Sequence, residues 1–500
     1  MGESLNVNQM ELITTNTTSV GFISESPAFS RTAWYLISLA TVVTFLAFML
    51  LDPQPNIILA ISSAANVSIL MWATYKLYLW GLLLSPMAAA IIGPGWIIYY
   101  SWGNLGARIA GPTRFGSNYG SLDFFPRASL LTTIGLFLFS ILVFGIFQKH
   151  TRKCRIRYQD LTWKPWQAIT SVIVAIIPVL YLSFKYPYIA GYFYDVTGIL
   201  DQSLNAFRWS FIILAIVINV SVMLRSKVFY AYWIGSVGLV VMLLLALVLR
   251  SRTFTLLALL QVGLCWITLQ PYRLRSILVV GTLVASIFFL FGTVVKLLTN
   301  SRTETSIIEN ILTLSDLDIN FIADTNRDSA EIDVQYRTAG LEYPAALLMI
   351  QNIGLEPMYG RGMYQGIMQG VPDFLRPKGV FSERQAISNY YTPYGLIYND
   401  SIGVPLTSGI ADWGELFSWL IYAVIAAYCL IMWKVMQFSP RLFIAFLIVG
   451  IGPSIASGGI GDLFWETSSS VFIKGMGFSW LLLFVFGFFF MPTWSPEART

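Results

Sequence analysis

Cations close to apolar runs are the residues of this chain best suited to chemistry. Arg250 and Arg252, in the stretch VLRSRTFTLL, flank a very short connection between two apolar segments. A guanidinium near lipid is costly unless paired, and its planar fork matches phosphate oxygens two at a time. Arg250 reads equally as an interfacial residue whose stem snorkels along apolar surface; Arg252 is the stronger candidate for an anion contact. A second set lies in residues 336–379, YRTAGLEYPAALLMIQNIGLEPMYGRGMYQGIMQGVPDFLRPKG, as Arg337, Arg361, Arg376 and Lys378. With Arg252 these five form the set that recognition of a lipid diphosphate would need. The same cations also offset the fourteen acids that run from Glu304 to Asp412. Gly360, Gly362, Gly366 and Gly370 allow a backbone to approach a ligand, or mark plain turns.

The elements that must position these residues are set by composition. Of 500 residues, 56% are hydrophobic and only 11% charged, against about 25% charged in soluble domains. Runs of 18 or more apolar residues mark lipid as the solvent, and in lipid every backbone polar group must be paired internally. Long continuous runs do this as helices. Apolar windows fall at 33–51, 57–75, 77–100, 128–147, 166–184, 208–224, 228–249, 253–270, 277–297, 414–433, 441–458 and 470–491. The expected fold is therefore an all-α polytopic membrane protein of about twelve transmembrane helices, with one large external loop before the last three. Pro86 and Gly93-Pro94 interrupt the third window.

Orientation follows from the basic loops. The densest cluster, Lys149 to Arg157 with Lys164 beyond, is placed in the cytoplasm, and alternation then puts Arg225, Arg273, Lys434 and Arg441 on the same side. The resulting organisation is a cytoplasmic tail over 1–32, nine helices over 33–297, an external loop over 298–413, three helices over 414–491 and a cytoplasmic tail over 492–500. Gly340–Asn352 reads as a short helix along the membrane surface, starting near Pro344. The net charge of +5 is a topology signal and implies no nucleic acid as partner. Cys154, Cys265 and Cys429 lie far apart and form no CxxC or His/Cys cluster, so neither a disulfide framework, a metal site nor a cofactor is expected.

The order of Gly360/Gly362, Tyr364, Pro372, Leu375, Pro377 and Lys378 resembles the external loop of bacterial oligosaccharide repeat-unit polymerases, the Wzy-type members of the O-antigen polymerase/ligase superfamily. Ser251-Arg252 and the WGELF run after the loop are similar to the same family. The matching residues cover about 150 positions. The resemblance implies glycosyl transfer on the outer face of the plasma membrane from a polyprenyl-diphosphate-linked oligosaccharide; the alternation from the basic loops leaves both termini cytoplasmic. The resemblance also implies a metal-independent reaction in which cations stabilise the departing diphosphate and a base helps to deprotonate the acceptor hydroxyl. A chain-length regulator or export proteins are possible partners. Ligases of this superfamily use an external histidine, and here the chain departs from the pattern: its one histidine, His150, sits in the basic cluster. A carboxylate must then serve, or none. Glu342 is the first choice, with Asp412 and Glu415 second; each is also readable as a helix-start or ion-pairing acid. A secondary transporter or lipid-glycan flippase is the rival reading. Tyrosines within 390–398 are candidates for stacking on sugar rings, and Asp462 and Glu466 are given no role.

Overall fold

The computed structural model describes residues 27–91, 98–110, 123–186, 188–189, 192–193, 196–225, 228–248, 252–269, 340–371, 375–396, 404–448, 463–469 and 475–494. In its first half the helices are α1 Pro27–Leu51, α2 Ile57–Leu79, α3 Pro86–Ile91, α4 Gly103–Ala110, α5 Phe125–Ser140, α6 Gln148–Arg152, α7 Pro165–Lys185, α8 Ile199–Arg225, α9 Phe229–Val248 and α10 Arg252–Leu269. In its second half they are α11 Glu342–Asn352, α12 Arg361–Met368, α13 Glu383–Tyr391, α14 Pro405–Phe417, α15 Ile421–Met436, α16 Pro440–Phe446, α17 Phe464–Thr467, α18 Gly475–Val485 and α19 Gly487–Phe490. Two antiparallel pairs complete it: β1 Leu161–Thr162 with β4 Thr493–Trp494, and β2 Tyr188–Ile189 with β3 Tyr192–Phe193.

Helix starts follow local chemistry. The Asn56 side chain accepts from the amides of Ile58 and Leu59 to open α2, and proline stands in the first turn of α5, α7, α14 and α16, where its missing N–H costs nothing. Among the described residues six helical stretches are long and apolar enough to cross a membrane: Ser30–Leu51, Ile57–Leu79, Phe125–Ile146, Pro165–Lys185, Arg208–Arg225 and Pro405–Met436. Shorter apolar helices cover Phe229–Leu245, Ala258–Leu269 and Gly475–Val485. The window 277–297 lies outside the described residues.

Contacts sort the connections into two faces. At one face the basic segment is pinned: Gln437 accepts from the amides of Arg155 and Ile156 at 2.6 and 2.7 Å, Arg225 donates to the Leu161 carbonyl, Gln159 to that of Thr268, and Trp163 to that of Phe490. At the opposite face Arg108 and Asp52 form a buried ion pair at 2.7 Å, Asn104 accepts from the Leu341 amide, and Arg127 pairs with Glu415 at 2.9 Å. Each pair joins connections that the alternation of helices assigns to one side.

Two expectations are corrected. The window 77–100 is not one helix: α2 ends at Leu79, Gly81 takes φ +66, and the chain reaches the Arg108 face through the buried α3, a π-turn at Ile98–Trp102 and α4. The helix expected on the membrane surface, α11, is instead packed inside, with Glu342 to Leu348 all buried against α5 and α14. Its sequence, EYPAALLMIQN, is apolar on every side, and such a helix belongs in a core. After the long loop, α14 starts with a short limb at Pro405 and breaks at Gly414, where the expected helix begins.

Candidate functional site

The site is organised by a break in α14. Gly414 adopts φ 74, ψ 177 inside the helix, a conformation open to glycine. A Cβ on Gly409 would come within 2.3 Å of the Ser418 carbonyl oxygen, whereas nine residues of unbroken helix span ~13.5 Å. The chain therefore folds back at Gly414, and residues 405–412 form a short buried limb. The break also frees carbonyls that the helix would have bonded. Gln351 of α11 donates to Ile410 at 2.9 Å, the Met358 amide to Ala411 at 2.7 Å, and the Tyr391 hydroxyl to Ala411 at 3.2 Å. Thus α11, α13 and the 355–358 loop dock where the helix opens.

Asp412, at the end of that limb, accepts from the amides of Gly362 and Met363 at 2.8 and 2.7 Å. It caps α12 from a distant segment and meets the positive end of its dipole. Gly362 and Gly366 of α12, and Gly370 in the turn after it, recur every fourth residue and face inward. A Cβ on Gly362 would lie 3.0 Å from Asp412 Oδ1; on Gly366, 2.6 Å from Trp465 Cβ and 3.0 Å from Glu383 Oε2; on Gly370, 2.9 Å from Ser469 Cβ. The close approach these glycines permit is to the protein's own acids and to the 463–469 segment. That segment is held by four elements: its Phe464 amide donates to Ser408, its Glu466 amide to Glu383 at 2.9 Å, its Ser469 hydroxyl to the Gly366 carbonyl, and Tyr428 donates to the Ser468 carbonyl.

Glu383 is wholly buried. Burial pushes its carboxyl up to about 8, against the pull of the Ser408 hydroxyl and the Glu466 amide, with the charges of Asp412 and Glu466 adding to the rise. At neutral pH it is a carboxylic acid.

The candidate residues separate as follows. Arg361 opens α12 on its exposed side, and Lys378 is exposed in the turn that follows. That turn folds back along α12 because Gln365 accepts from the Phe381 amide and Gln369 donates to its carbonyl. Arg376 donates to the carbonyls of Gln369 and Val371, so part of its guanidinium closes the end of the same helix. Arg252 begins α10; its side chain, and the whole of Arg337, lie outside the described residues. Asp412 is buried at the cap, Glu342 is buried at the start of α11, and Glu415 pairs with Arg127 where both side chains are open to solvent, 39% and 48% exposed. Of the aromatic run, Tyr391 turns inward and Tyr394 is 51% exposed.

Sequence reasoning passed over Glu383 and gave Glu466 no role. The helix of Glu383 was findable, since Ser382 caps it by accepting from the Gln385 amide. Its burial was not, because an acid in a first helical turn reads as solvated and dipole-stabilised.

By fold the chain is a helical protein with the lengths and apolarity of a membrane-embedded one. Comparison with protein-family models, with characterised proteins and with solved structures finds no match in any of the three.

Proposed function

We propose that the chain is a membrane glycosyltransferase that polymerises lipid-linked oligosaccharide repeat units on the outer face of the plasma membrane. The observation that carries this reading is the docking of α11, α12 and α13 at the break in α14, which leaves Arg361 and Lys378 exposed while Asp412 and Glu383 lie buried against the inner face of α12. In the reaction, an acceptor sugar hydroxyl attacks the anomeric carbon of a polyprenyl-diphosphate-linked glycan. The bond to the diphosphate oxygen breaks, and the diphosphate leaves with the bonding pair. Arg361 and Lys378, joined by Arg252, Arg337 and Arg376, stabilise that charge. The hydroxyl proton goes to a carboxylate, and Glu415 is the best placed of the three candidates because it is reachable from solvent. Asp412 and Glu342 hold the framework. The basic Lys149–Arg157 face is the cytoplasmic one, which places both ends of the chain inside.

Deleting the gene and analysing cell-surface glycan with its lipid-linked precursors tests the reading. Loss of polymer with accumulation of single repeats on the outer leaflet supports it; finished polymer left on its carrier indicates a ligase. The rival reading, a transporter or flippase, is favoured by one observation, the broken helices at Gly414 and between α2 and α4, since transporters build sites at such breaks. Precursors trapped on the inner leaflet would select it.

A further inference from the structure

Glu383 takes part in none of the steps above, yet it stands at the junction of four elements. Its Oε2 accepts the Glu466 amide at 2.9 Å, and Glu466 in turn accepts the Arg384 amide at 3.5 Å. Glu383 thus holds the Glu466 amide while Glu466 holds the amide of the residue next to Glu383. A Cβ on Gly366 would come within 3.0 Å of the same Glu383 oxygen, so the carboxyl lies against α12, while the Ser469 hydroxyl donates to the Gly366 carbonyl. We infer that Glu383 is a positioning residue of the site: uncharged, it clasps the 463–469 segment beneath α12, and loss of its proton releases that clasp.

The surroundings give the direction. Among the described residues, the titratable groups acting on Glu383 are Asp412 from α14 and Glu466 from α17, both acids. From α12 it meets a glycine, with Arg361 on the exposed side of that helix. On its own helix Arg384 engages Glu466 through its backbone, and the Tyr391 hydroxyl is turned to Ala411. An ionised Glu383 would add a further negative charge to a dry space. With the docked carboxyl raised from 4.5 to about 8, the docked state keeps a proton that an opened state would already have lost. Docking is therefore strongest below about 4.5, weakens as pH rises through that window, and bears the whole cost above about 8.

The inference rests on the proposed function only in calling this place a site; the clasp itself is measured without substrate. Hydrogen exchange on the full-length protein in nanodiscs, corrected for intrinsic rates, is followed between about pH 5 and 9. In the wild type, protection of 361–370 and 463–469 falls by up to ~10-fold per pH unit; in Glu383→Gln, which keeps the uncharged shape, it stays level above about pH 7, where Asp412, whose carboxyl burial raises to about 6, is already ionised. A level wild type, or an equal fall in the variant, overturns the inference. Should Glu383→Gln not fold, infrared spectroscopy of the wild type decides: a protonated-carboxyl band that persists at neutral pH and disappears as pH passes about 8 supports it, and no such band overturns it. In a polymer-synthesis assay, Glu383→Gln moves the alkaline limb of the pH profile upward. A protein with no synthesis but this exchange behaviour would remove the proposed function and leave the clasp standing.

Discussion

Arg361 and Asp412 meet at the start of α12 from opposite sides, and the difference in their surroundings separates chemistry from support. Arg361 is exposed, so Arg361→Ala leaves the fold intact and, if it stabilises a departing diphosphate, lowers polymer synthesis by about 100-fold or more. Melting temperature measured alongside synthesis separates the two effects. Asp412→Ala does the reverse at the outset. It strands the amides of Gly362 and Met363, and a buried unsatisfied donor costs about 1–3 kcal/mol, read as a lowered unfolding midpoint. Glu415 can be tested against its ion pair. The bridge to Arg127 is exposed and contributes ~1 kcal/mol at most, so Arg127→Ala barely changes stability. If Glu415 takes the proton, Glu415→Gln abolishes synthesis while Arg127→Ala does not; equal activity in both variants removes Glu415 from the chemistry. These roles were only partly legible from the residues. Position near a helix start marked all three acids, but that signal is the same for a cap, a buried strut and a solvated acid.

Among the elements, long apolar runs were readable because lipid demands unbroken pairing of the backbone: α2 and α7 begin and end close to the expected limits, while α1 starts earlier and α5 gives way to a π-turn from Ile141 to Ile146. What escaped was the place where pairing is broken and repaired. The fold-back at Gly414 needs the partners Gln351, Met358 and Tyr391, which lie distant in the chain, so no local pattern announces it. The same holds for α11, whose hydrophilic neighbours hid its own apolarity. The glycines in and after α12 were noticed as places for close approach or turns: Gly360 takes the turn conformation, and Gly362, Gly366 and Gly370 approach Asp412, Glu383, Trp465 and Ser469. Gly366→Ala should therefore destabilise by about 1–3 kcal/mol through overpacking. Gly106→Ala in α4, where a Cβ meets nothing within 4 Å, should be neutral or stabilising by about 0.4–1 kcal/mol. Thermal unfolding of the two variants side by side checks the contrast; equal effects would contradict the packing described.

At the scale of the whole molecule, the central property is sidedness. The basic segment around Lys153 and the cap that carries Arg361 and Lys378 belong to opposite faces of the bundle. In a background with Cys154 replaced by serine, Lys378→Cys should react with a membrane-impermeant thiol reagent added to intact cells. Lys153→Cys should react only after permeabilisation. Labelling of both from outside would dismantle the two-faced arrangement.

The most direct measurement of the account as a whole is synthesis by the purified protein in proteoliposomes supplied with a polyprenyl-diphosphate-linked repeat unit as the sole substrate. Polymer together with released polyprenyl diphosphate is expected, unaffected by a chelator and lost in Arg361→Ala. Movement of the lipid-linked unit across the bilayer with no new glycosidic bond would contradict it.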